Sequence, residues 1–164
     1  MNEAHVHMLV NHVPIIGIIF GLIILIIGVV IKNISVKNTA YGLFIVSAIL
    51  AAVSMFTGEG AEEVLEHFST IEREIIHEHE EIAEKFALLS YIIGAASILG
   101  IYLNRKKHTK AELIAFFVII ISSVGIFLAQ RTGTTGGEIR HVEIRSNANS
   151  DSSNKKINDL IDKD

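Results

Sequence analysis

Four stretches of this chain carry no Asp, Glu, Lys or Arg: residues 13–31, 40–58, 86–103 and 113–130, each 18 or 19 residues long. At ~1.5 Å of rise per residue, a helix of that length covers most or all of a hydrocarbon core ~30 Å thick. One charge at its centre would cost roughly 2.5–3.5 kcal/mol on insertion scales. Helices of a soluble bundle keep a polar face, and these four have none. The sequence therefore predicts an all-α, integral membrane four-helix bundle. The first span does not read as a cleaved signal peptide, because the twelve residues before it hold three histidines and no Lys or Arg. The chain has no cysteine, which excludes disulfides, thiolate metal sites, iron–sulfur clusters and CxxCH haem attachment.

The basic residues set an orientation. Lys32 and Lys37 occupy the first short loop, and Arg105, Lys106, Lys107 and Lys110 the third. The long middle segment, residues 59–85, holds ten glutamates against Arg73 and Lys85. Short basic loops stay cytoplasmic, so both termini and the acidic segment are expected outside. Arg131, Arg140 and Arg145 after the last span pull against this assignment.

That acidic segment has helical spacing. Val64, Leu65, Phe68, Ile71, Ile75, Ile82 and Phe86 recur at helix intervals, which predicts an amphipathic extramembrane helix between spans 2 and 3, broken near Ser69–Thr70. Gly58 and Gly60 suit a helix end with a sharp turn into it. The tail, residues 146–164, is rich in Ser, Asn, Asp and Lys and is expected to be disordered.

Four spans in alternating directions bring seven of the eight histidines to one membrane face: His5, His7, His12, His67, His77, His79 and His141. Only His108 lies at the other. Imidazole is a common neutral ligand for transition metals and haem iron. Helical phase places His79 on the stripe of Ile75, Ile82 and Phe86, facing inward, and His77 on a wetter face. His7 and His12 are five residues apart, about 500° of helix, so they do not share one face of a continuous helix. A turn before Pro14 would let both serve one site, since residue 13 is disfavoured in helix by the proline after it. The Gly-rich run at 133–137 reads as a strap that brings His141 back over the bundle mouth. The inward set expected is His12, His79 and His141, with His7 as a further cofactor ligand. Glu59, Glu63, Glu74, His77 and Glu138 are the candidate metal ligands; Glu74–His77 and Glu138–His141 have the Glu-x-x-His spacing used in di-iron carboxylate bundles.

The segments His7…His12-Val13-Pro14, Thr57-Gly58, the histidine heading span 3, and Gly136-Gly137-Glu138…His141 resemble the DUF2231 family of small four-helix bacterial membrane proteins. The resemblance covers roughly residues 5–145 and implies a four-helix fold in a bacterial cytoplasmic (inner) membrane, but no activity. Met8 and Asn11 depart from the family's pattern, as does the spacing from Gly137 to His141.

Three functions stay open. The outer-face histidines bind b-type haem for electron transfer, with His12 and His79 or His79 and His141 as the pair. Alternatively, histidines and glutamates hold a non-haem transition metal, or the cluster belongs to an accessory protein that docks a partner. The expected partners are the lipid bilayer and a redox or other membrane protein. Nothing points to nucleic acid, a homo-oligomer stays open, and the small-residue pairs Gly17/Gly21 and Ser90/Gly94 read as sites of close helix packing. No Ser–His–Asp arrangement, phosphate loop or HExxH motif is present.

Overall fold

The computed structural model describes residues 3–68 and 73–141. They form α1 (Glu3–Val10), α2 (His12–Val30), α3 (Ile34–Phe68), α4 (Arg73–Arg105) and α5 (Ala111–Arg140), with no strand among the described residues. The expected break near Ser69–Thr70 and the polar tail lie outside them.

Each expected span matches a segment long and apolar enough to cross a membrane, Ala4–Val30, Ile34–Ala61, Ile75–Arg105 and Ala111–Ile139, with only Ile31 of the first falling just outside. These segments are 27 to 31 residues long, or ~40–46 Å at ~1.5 Å per residue, close to a bilayer with its headgroup zones. Their outward faces are apolar, with Phe20, Phe56, Tyr102, Phe116, Ile120 and Phe127 all exposed. The interior is apolar apart from small hydroxyl residues such as Ser47, Ser90, Ser97 and Ser122 and polar groups at its ends, so no helix keeps a polar outward face along its length.

Three boundaries differ from the sequence expectation. Gly58 and Gly60 do not end span 2: α3 runs through them to Phe68. The middle segment is helical as expected, but as extensions of the second and third spans. The Gly-rich run after span 4 is no strap, because α5 stays helical to Arg140. Gly58 and Gly136 pack against the His7 and His79 rings, where tertiary contact outweighs their weak helix propensity, while Gly133 is exposed within the helix. At the N-terminus the turn between His7 and His12 is the single residue Asn11, which keeps helical dihedrals (φ −61°, ψ −28°), so the chain does not bend back there. The Asn11 N–H bonds to the His7 carbonyl at 2.9 Å, and Pro14 falls in the first turn of α2, where a missing N–H costs little.

The two basic loops are built alike. After α2, Asn33 N–H bonds to the Gly28 carbonyl and Lys32 N–H to that of Val29; after α4, His108 N–H bonds to Leu103 and Lys107 N–H to Asn104. Each is a Schellman closure with a left-handed residue at its corner. The corners are Lys32 (φ 53°) and Lys107 (φ 50°), where glycine is the usual choice. His108 has a local role, since its Nδ1 accepts the Lys110 N–H at 3.1 Å.

The helices pack in a ring: α2 against α3, α3 against α4, α4 against α5, and α5 back against α2, with α1 lying on α3. Helices α2 and α4 therefore stand on one diagonal. Small residues allow the close approach. Gly21 faces the Phe44 ring, and Gly94 faces Ala48. Near the basic end, Lys37 is 2% exposed and its Nζ lies 2.5 Å from Glu112 Oε1. This ion pair ties α3 to α5.

Candidate functional site: two clasped imidazoles at the bundle end opposite the basic loops

Helical phase decides which histidines turn inward. Because α1 continues nearly in line into α2, His7 extends the buried stripe Pro14, Ile18, Gly21, Leu25 and Gly28. His12, about 140° away, is exposed, and its Nδ1 bonds to the adjacent Asn11 side chain. The inward residue of this pair is thus His7 and not His12; a turn before Pro14 would have been needed to bring both in. On α4, His79 is half-buried and extends the stripe Phe86, Ser90, Ile93, Ser97 and Gly100. This matches the sequence expectation for His79. His77 is on the wet face, its side chain 80% exposed and 3.7 Å from Glu80.

His141 is exposed and caps the end of α5 in an extended conformation, so it reaches only the mouth of the site and not the buried set. Glu59 is exposed at the rim. The side chains of Glu63 and Glu74 lie outside the described residues. Among the described residues, no three His, Asp or Glu side chains group as a metal site.

Each inward imidazole is held by the neighbouring helix in the same manner. His7 Nδ1 is 2.9 Å from the Ser54 carbonyl and 3.4 Å from Thr57 Oγ1. A carbonyl can only accept, so Nδ1 carries the proton and donates. Thr57 turns its own O–H to the Val53 carbonyl at 2.9 Å, which leaves its lone pairs toward the ring. His79 Nδ1 is 3.0 Å from Thr135 Oγ1, whose O–H donates to the Arg131 carbonyl at 3.1 Å. With that hydroxyl hydrogen turned to a carbonyl, the Thr135 oxygen accepts from Nδ1–H. With Nδ1 protonated in both rings, Nε2 is the free lone pair in each. No hydrogen bond to either Nε2 occurs among the described residues. Such an outer hydrogen bond fixes the tautomer and raises the basicity of a ligating histidine.

Glycine makes room for each ring. A Cβ at Gly58 would lie 3.4 Å from His7 Cε1, and one at Gly136 3.0 Å from His79 Cε1. Between the two histidines lies a cavity of about 460 Å³, lined from all four long helices by residues such as Ile15, Ala51, Ala87, Gly133 and Gly137. That volume is within the usual range for small-molecule and cofactor sites, roughly 300–1,000 Å³. His12, Glu59, Glu80, Glu84 and His141 also line it.

Sequence reasoning missed Ser54, Thr57, Thr132 and Thr135 as partners. The signal was there: a hydroxyl residue, two others, then Thr-Gly occurs at 54–58 and again at 132–136. Compared with family models, curated proteins and solved structures, the chain shows no match.

Proposed function

We propose that this chain is a membrane-embedded b-type haem protein whose axial ligands are His7 and His79, and that it transfers electrons at the outer membrane face. The carrying observation is the pair of half-buried imidazoles on diagonal helices, each with Nδ1–H engaged and Nε2 free, beside a cavity of about 460 Å³. Two protein ligands suffice for haem iron, because the porphyrin supplies the rest. A bare ion such as zinc usually takes three or four protein ligands, more than the inward set provides. The small and apolar residues of the cavity's inner wall, such as Ile15, Ala51, Ala87 and Gly137, suit a flat, greasy macrocycle better than a hydrated ion.

The protein's own part is to hold both imidazoles in one tautomer, exclude water with its apolar wall, and leave the rim open to a redox partner. The bound haem would supply one-electron chemistry. The long apolar helices with apolar outward faces support insertion in a bilayer. The two basic loops support a cytoplasmic inner end, with the site and both termini on the outer side of a bacterial inner membrane.

The test is expression with haem and metals supplied, purification in detergent, and a reduced-minus-oxidised spectrum with elemental analysis of the same sample. The reading expects a reduced b-type α band and near-stoichiometric iron. Stoichiometric zinc or copper without a chromophore would favour the bare-metal reading, and neither result would leave partner docking.

A further inference from the structure

The two halves of the bundle share a register that neither the spans nor the proposed function requires. At 7, 11, 14, 18 and 21 residues after His7 stand Pro14, Ile18, Gly21, Leu25 and Gly28; after His79, the same intervals give Phe86, Ser90, Ile93, Ser97 and Gly100. All ten are buried. On the return helices, the positions 3, 6, 10, 13 and 17 residues before Thr57 are Ser54, Ala51, Ser47, Phe44 and Ala40. Before Thr135 they are Thr132, Ala129, Gly125, Ser122 and Val118. All but the half-buried Ser54 are buried. Lys32 lies 25 residues from both His7 and Thr57, and Lys107 lies 28 from both His79 and Thr135. Each hairpin thus turns on a left-handed lysine midway between its histidine and its threonine. The second simply reaches about one helical turn further at the basic end.

Resting on the haem reading above, we propose that the chain is two copies of one hairpin related by an approximate two-fold axis along the bundle, that the cofactor sits on this axis, and that Thr57 and Thr135 are equivalent positioning residues tuning its reduction potential through the two imidazoles. The ring packing of the helices puts His7 and His79 on a diagonal, as the axis requires. A ligand on the axis must offer equivalent faces to both Nε2 atoms, which the iron of a planar macrocycle does and an asymmetric small substrate does not. An acceptor on Nδ1–H gives the ring imidazolate character and favours the more highly charged, oxidised metal. The two clasps differ in degree. His7 leans on the Ser54 carbonyl at 2.9 Å with Thr57 further off at 3.4 Å, whereas His79 has the Thr135 hydroxyl at 3.0 Å.

The experiment is a redox titration of the haem-loaded full chain in detergent, comparing wild type with Thr135→Val, Thr135→Ser and Thr57→Val. Thr135→Val removes the acceptor and keeps the shape. It should shift the balance toward the reduced form by up to about tenfold, which is ~59 mV for one electron. Thr135→Ser should restore the wild-type potential, and Thr57→Val should shift it the same way by less. If Thr135→Val sheds its haem, the Thr57→Val shift with wild-type behaviour of Thr135→Ser carries the same support. A haem-loaded wild type whose variants keep its potential, or move it down, overturns this inference alone. A wild type that takes up no haem overturns the proposed function and this inference with it.

Discussion

His79 and Thr135 meet across the α4–α5 interface with Nδ1 and Oγ1 3.0 Å apart, and the glycine after that threonine leaves the ring its space. A methyl group at Gly136 would stand 3.0 Å from Cε1, tighter than ordinary contact, while one at Gly58 would stand 3.4 Å from the His7 ring. Overpacking of this kind costs about 1–3 kcal/mol. Gly136→Ala should therefore weaken cofactor retention roughly tenfold or more, and Gly58→Ala should leave it nearly unchanged. Haem content after detergent washing checks the difference.

The exposed histidines should be dispensable. His12→Ala, His141→Ala and His108→Ala are each expected to keep the wild-type haem content and spectrum. Loss of the cofactor in His12→Ala would move the ligand from His7 back to the residue that helical phase turns outward.

The left-handed lysines are strained corners. For an L-residue this conformation costs roughly 1–2 kcal/mol, and glycine avoids most of it at the expense of a freer unfolded chain. Lys32→Gly and Lys107→Gly should each raise stability by up to ~1 kcal/mol. Thermal unfolding in detergent, with retained haem as the signal, measures the change.

How much of this was legible in the sequence follows from the physics of each part. Charge-free length alone locates the four spans, because lipid tolerates no charge at their centres. His79 is legible because Ile75, Ile82 and Phe86 mark its phase. His7 was obscured by Pro14, which suggests a turn; only the packing of α1 on α3 shows that the helix continues and carries the stripe of Pro14 and Ile18 back to residue 7. The glycines at 58 and 136 mislead in the same way, since local propensity reads them as breaks while the bundle uses them as space for the two rings. Thr57 and Thr135 recur in a short pattern, but which ring each one holds is a contact between distant segments and needs the fold.

The Lys37–Glu112 pair should matter for stability and not for the site, since it lies at the opposite end of the bundle. Glu112→Gln leaves the buried Lys37 ammonium without its counter-charge. Loss of one partner of a buried pair costs about 3–5 kcal/mol, and the 55% exposure of the Glu112 side chain reduces this to roughly 1–3 kcal/mol. A Lys37→Met, Glu112→Gln double variant should recover much of the loss. Denaturation in mixed micelles compares the three.

The central claim is that His7 and His79 together hold one haem. Its most direct test is the number of haems bound per chain in purified wild type, His7→Ala and His79→Ala, each expressed with haem supplied. The account predicts one per chain in the wild type and a drop of tenfold or more in either variant. One haem retained at wild-type occupancy in both variants, or none in the wild type, would contradict it.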